Sequence, residues 1–106
     1  MNDRELLERA AKAAGVPQNC YRSVIGGMWQ YTPQDGYFGA CWNPLDDDGD
    51  ALRMAVKREI ALHHFRDSCA AAIGARFYSE PHGSAPAAAA RRAIVRAAAA
   101  MAVGEA

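Results

Sequence analysis

Four aspartates crowd into five positions at Asp46-Asp47-Asp48-Gly49-Asp50. Such a run offers carboxylate oxygens to a hard cation. A calcium loop also needs glycine at its sixth place and a bidentate glutamate at its twelfth. Counted from Asp48, the twelfth residue is Glu59, but the fifth and sixth are Leu52 and Arg53. Counted from Asp46, the twelfth is Lys57. The spacing fails for calcium and leaves two other uses. The acids can cap a helix, whose N-terminus favours negative charge. Asp46, Asp47, Asp48 and Asp50 can also form an acidic patch for a basic partner.

His63, His64, His82, Cys20, Cys41 and Cys69 are the remaining metal-ligating and nucleophilic groups. Structural zinc sites carry paired ligands at C-x₂₋₄-C or H-x₃₋₅-H spacing, and this chain has neither. Adjacent His63 and His64 on a strand would point to opposite faces and could not share a metal. No metal and no cofactor is therefore expected. A Cys–His nucleophilic pair has no local context to support it. The chain also lacks G-x-S-x-G, a phosphate-binding P-loop and G-x-G-x-x-G. These patterns point away from an enzyme. The three cysteines read best as small buried hydrophobes.

The cations gather elsewhere. Arg91, Arg92 and Arg96 fall together, and Arg53 and Lys57 can join them in a basic face. Arginines interleaved with aromatic residues would mark a nucleic-acid surface. No such interleaving accompanies these, so a protein contact or a solvated flank fits better. Trp29, Tyr31 and Tyr37 are candidate aromatic anchors, because Trp and Tyr dominate binding hot spots.

Composition is that of an ordinary globular chain. The chain has 106 residues, 51% of them hydrophobic, with 12 basic and 12 acidic side chains. One domain spanning residues 1–106 is expected from that length. Zero net charge argues against bulk electrostatic binding to nucleic acid. The charge is nonetheless lopsided. Residues 1–50 hold four basic and eight acidic side chains, and residues 51–106 hold eight and four. The polar start Met1-Asn2-Asp3-Arg4-Glu5 has no secretory apolar region, which predicts reduced thiols in a cytoplasmic setting. No apolar run reaches the ~20 residues of a membrane span.

Two stretches carry a resemblance. Trp42-Asn43-Pro44-Leu45 followed by Asp47-Asp48-Gly49-Asp50-Ala51-Leu52-Arg53-Met54-Ala55-Val56 resembles a "WNPL, then DDGDALRLAV" block of small bacteriophage and prophage proteins. Arg91-Arg92-Ala93-Ile94-Val95-Arg96-Ala97-Ala98 is similar to their closing "RRAIVRAA" helix, and Glu80-Pro81-His82-Gly83 to the loop before it. The likeness covers about half the chain and leaves out residues 16–41. Asp46 stands where Thr is commoner, and Met54 where Leu is commoner. The resemblance implies a phage origin, a compact α+β domain and the host cytoplasm. It carries over no catalytic residue, because that family has no settled activity.

The elements follow from periodicity and punctuation. A helix is predicted over residues 3–14, capped by Asn2 with Glu5 and stopped by Gly15 and Pro17. Residues 20–41 read as an antiparallel meander of two or three strands turning at Gly26-Gly27 and at Pro33-Gln34-Asp35-Gly36. A single long strand with a glycine bulge is the alternative. A second helix over 47–59 should bury Leu52, Ala55, Val56 and Ile60. A second hairpin, 61–66 with 69–79, is preferred to a continued helix. The last helix begins after a Ser84 cap with Pro86 in its first turn, runs to 103, and turns Ala87, Ala90, Ile94, Ala98 and Met101 to one side, with Val95 and Ala102 beside them.

The resulting expectation is an α+β fold of order α-β-β-α-β-β-α, helices on a small antiparallel sheet. Its function is expected to be non-enzymatic binding of a host protein by a phage accessory protein. Inhibition of a host defence system, of anti-CRISPR or anti-restriction type, is the sharpest form. The alternatives are a phage DNA- or RNA-binding regulator using the last helix, and a self-associating morphogenesis helper.

Overall fold

The computed structural model describes residues 2–16, 21–23, 29–31 and 40–102, with side chains described for all but 21–23, 29–31, 40 and 41. Helix α1, Asp3–Ala14, begins at Asn2, whose Oδ1 accepts from the Glu5 amide at 2.9 Å. It ends at Gly15, held at φ 77°, a left-handed conformation that glycine adopts freely. Leu6, Leu7, Ala10, Ala11 and Ala14 are buried along it. These are the predicted bounds and the predicted face.

Strands β1 (Tyr21–Ser23), β2 (Trp29–Tyr31) and β3 (Ala40–Trp42) form one antiparallel sheet, with Trp29 opposite Trp42. Antiparallel pairing of β1 with β2 rules out one long bulged strand. The turns expected at Gly26-Gly27 and at Pro33 to Gly36 lie outside the described residues. Helix α2, Asp48–Lys57, follows. A second antiparallel sheet then runs in the order β4 (Ala61–His64), β5 (Ser68–Ile73), β6 (Arg76–Pro81). Helix α3, Pro86–Ala102, closes the described chain.

The fold is mixed α+β, in the order α-β-β-β-α-β-β-β-α. The second hairpin is thus a three-strand meander. The stretch 69–79 does not stay one strand, because Gly74, at φ 58°, turns the chain back on itself.

Three local corrections have physical causes. Helix α2 stops before residue 59: Arg58 caps it, Glu59 adopts φ 55°, and the Ile60 amide donates to Ala55 O at 2.8 Å. That closure swings Ile60 into the core. Second, α2 buries Ala51, Met54 and Ala55, while Leu52 and Val56 are 64% and 70% exposed. Third, Ala85 rather than Ser84 precedes α3, its carbonyl accepting from the Ala89 amide. Pro86 then takes the first helical position, where its missing N–H costs nothing.

Helix α3 lies against α1, α2, β5 and β6. It is enclosed on more than one side, so the buried surface is wider than the predicted face with its Val95 and Ala102 flank. Ala89, Ala93, Ile94, Val95 and Ala97 to Ala100 are all buried, while Ala87 is exposed. Alanine permits this close approach, because larger side chains would force the helices apart. Full burial of Ile94 and Val95 contributes about 1.5–3 kcal/mol each. The core joins these residues to Leu6, Met54, Ile60, Cys69 and Ala71.

Candidate functional site

The aspartate run is built into a cap. Asp47 Oδ2 accepts from the Asp50 amide at 2.8 Å, so Asp47 is the N-cap of α2. Asn43, buried in the preceding break, accepts from Leu45 N through Oδ1 and donates through Nδ2 to Asp46. Its own amide donates to Asp50 Oδ2 at 2.9 Å. Asp50 also accepts from Arg53 Nη2 at 2.7 Å and is only 8% exposed. Asp50 therefore stands outside the expected acidic patch: its carboxylate is committed to holding the loop. Asp46, Asp47 and Asp48 remain exposed.

The expected basic face is equally committed. Arg91 Nη1 meets Asp48 Oδ1 at 2.6 Å, and its Nε donates to Leu45 O at 2.8 Å. Arg92 pairs with Asp3 at 2.9 Å, joining α3 to α1. Arg96 pairs with Glu80 at 2.5 Å, donates to Ser79 O and lies over the Tyr78 ring. Arg53 pairs with Asp50, and Lys57 Nζ donates to Ala14 O at 2.6 Å. The acidic patch and the basic face are not two opposed surfaces. Opposite charges from distant segments meet, at Arg91–Asp48 and Arg92–Asp3.

What the charges enclose is apolar. A groove of about 250 Å³ opens between α2, β4 and α3, lined by Leu52, Leu62, Ala87, Ala90 and Ile94, with Asp48, Arg91 and His64 around it. Leu52 and Val56 sit one turn apart on the exposed side of α2. An apolar centre with a polar, partly paired rim is the pattern of a protein-binding patch. Sequence periodicity missed it, because Leu52 and Val56 satisfy the helical repeat of a buried stripe equally well.

The histidines separate as strand geometry requires. His64 turns to the groove, while His63 lies on the opposite face with its ring centroid 5.9 Å from that of Phe77. Among the described residues, no three His, Cys, Asp or Glu side chains gather where an ion could be held. Cys69 is buried on β5, its Sγ 3.8 Å from Glu80 O. Burial, then the nearby Glu80 charge, push its thiol above the ordinary cysteine range. That environment disfavours a thiolate nucleophile. Trp29 and Tyr31 lie on β2, and their side chains, like the whole of Tyr37 and Cys20, fall outside the described residues. No described helix is long and apolar enough to cross a membrane.

No family model, no curated protein and no solved structure matches this chain.

Proposed function

We propose that this chain is a phage accessory protein that works without catalysis, by binding a host protein in the host cytoplasm. Its task on this reading is inhibition of a defence system of anti-CRISPR or anti-restriction type. The observation that carries the binding role is the exposed Leu52–Val56 ridge beside the groove rimmed by Asp48 and Arg91. Exposing two large aliphatic side chains on one helix face costs solubility, and a partner that covers them recovers the hydrophobic gain. The exposed Asp46 and Asp47 at the start of the same helix can steer a basic surface, such as one shaped for nucleic acid. The phage origin rests on the WNPL and RRAIVRAA resemblances.

The nucleic-acid alternative draws less support. Each of Arg91, Arg92 and Arg96 already has a carboxylate partner that a phosphate would have to displace. The test is phage plating on hosts with and without an active defence system, with the protein expressed in the host. Protection by the wild type and its loss in Leu52→Asp/Val56→Asp, with an unchanged circular dichroism spectrum, supports the proposal. No protection, or full protection by the double variant, defeats it.

A further inference from the structure

Helix α3 packs on one face of the β4–β6 sheet, the face of Leu62, Cys69, Ala71 and Tyr78. Strand alternation puts the intervening residues on the other face. Ala61, Ala72 and Phe77 make a row across one end of that face, and Phe65, Ser68 and Pro81 a row across the other. Between the rows, the His63 ring centroid lies 5.9 Å from that of Phe77, and Ala70 and Ala72 on the central strand are only 3% and 6% exposed. The two large rings stay open to solvent, Phe65 at 58% and Phe77 at 60%. No Lys, Arg, Asp or Glu stands on this face of the three strands.

We infer that this face packs on the same face of a second copy of the chain, sheet against sheet. Fit selects the copy as occupant. A two-fold axis lying between the sheets, across the strands at the level of His63, turns each end row onto the other. Phe65 then falls on Ala61 of the second copy, Phe77 on its Pro81, and Ala72 on its Ser68. Each exposed ring meets a smaller side chain, so the face is complementary to itself, as a closed two-fold contact requires. The absence of charge agrees. A two-fold contact sets residues near its axis against their own copies, where any charge would meet its like. Area agrees as well. At about 200 Å² for a whole Phe, the two rings and the exposed Ala61, His63, Ser79 and Pro81 offer about 500 Å² per copy. About 1,000 Å² for the pair is the threshold of a specific interface and fits a reversible dimer. This inference stands apart from the host-protein reading and does not depend on it.

Sedimentation equilibrium of the full chain, with thiols kept reduced, tests it. The expected result is a concentration-dependent rise from the 11.4 kDa chain mass towards twice that value. Phe65→Ala should weaken the dimer roughly a hundredfold, since symmetry removes two ring contacts at once. Ala61→Phe should weaken it too, because the new ring collides with Phe65 of the second copy. Ala61→Phe/Phe65→Ala exchanges ring and recess and should restore the dimer. Both positions are exposed, and an unchanged thermal midpoint under dilute, monomeric conditions checks that the fold is kept. Leu52→Asp/Val56→Asp should leave the dimer unchanged, which separates this face from the ridge on α2. A monomer at every concentration up to millimolar overturns the inference. So does a dimer that Phe65→Ala does not move, or one that the exchange fails to restore.

Discussion

Arg91 on α3 reaches Asp48 in the first turn of α2 across 2.6 Å, although 43 residues separate them in the chain. The same guanidinium donates to Leu45 O, so one side chain ties the loop, the cap and the last helix together. Its side chain is 19% exposed, and that of Asp48 is 77% exposed. The two halves of the interaction therefore differ in worth.

Arg91→Ala should cost about 1–2 kcal/mol, because it orphans the Leu45 carbonyl and removes packing. Asp48→Asn should cost less than about 1 kcal/mol, as an exposed ion pair contributes little. Urea unfolding of the two variants measures the difference. Equal losses would mean that the ion pair, not the carbonyl contact, holds α3 to the loop.

Asp50→Ala should be worse than any substitution at Asp46 or Asp47. It leaves the buried Asn43 amide without its acceptor, a penalty of about 1–3 kcal/mol. Asp46→Ala loses one long side-chain bond of 3.3 Å and should stay within about 0.5 kcal/mol of wild type. Thermal melts of the aspartate series give the ranking. A flat series would show that the run is a surface feature and not a cap.

Tyr78→Phe should stabilise the protein by about 1 kcal/mol. The Tyr78 hydroxyl is buried and has no hydrogen-bond partner among the described residues, so its desolvation goes uncompensated there. The ring stays beneath Arg96, and the cation–π contact survives. A loss of stability would show that the hydroxyl has a bridging water.

Cys69 sets a pH dependence with a definite sign. Its folded-state pKa lies above the ordinary value of 9.0, through burial first and Glu80 second. Below that value the thiol is protonated in both states and contributes no slope. Above it the unfolded chain loses the proton first, so stability falls as pH rises towards the folded pKa. Wild type should lose more stability than Cys69→Ala between pH 8 and pH 10 (an order-of-magnitude window around the reference pKa). Iodoacetamide should label Cys69 slowly at neutral pH, and fast labelling of the native state would contradict its burial.

Local rules were enough wherever the deciding contacts are close in sequence. The Asn2 cap, the Gly15 stop and both bounds of α1 follow from hydrogen bonds within a few residues. The alternation that parts His63 from His64 is likewise a property of the strand alone. That an aspartate of the run caps α2 belongs to the same class, although the run did not say which, and Asp47 takes the place.

Tertiary packing decided the rest. Residue types along α2 permit Leu52 and Val56 to face inward, yet α2 turns Ala51 and Met54 to the core instead. Close helix packing favours small and adaptable side chains, and no periodicity count contains the neighbour that makes this choice. The same holds for charge. Composition shows an acidic half and a basic half, but the Asp3–Arg92 and Asp48–Arg91 pairs exist only because folding brings α1 and α2 onto α3. Sequence alone set where α1 begins and ends and what kind of elements form, since those energies are local. Which faces are buried and which charges are spent depend on partners many residues away.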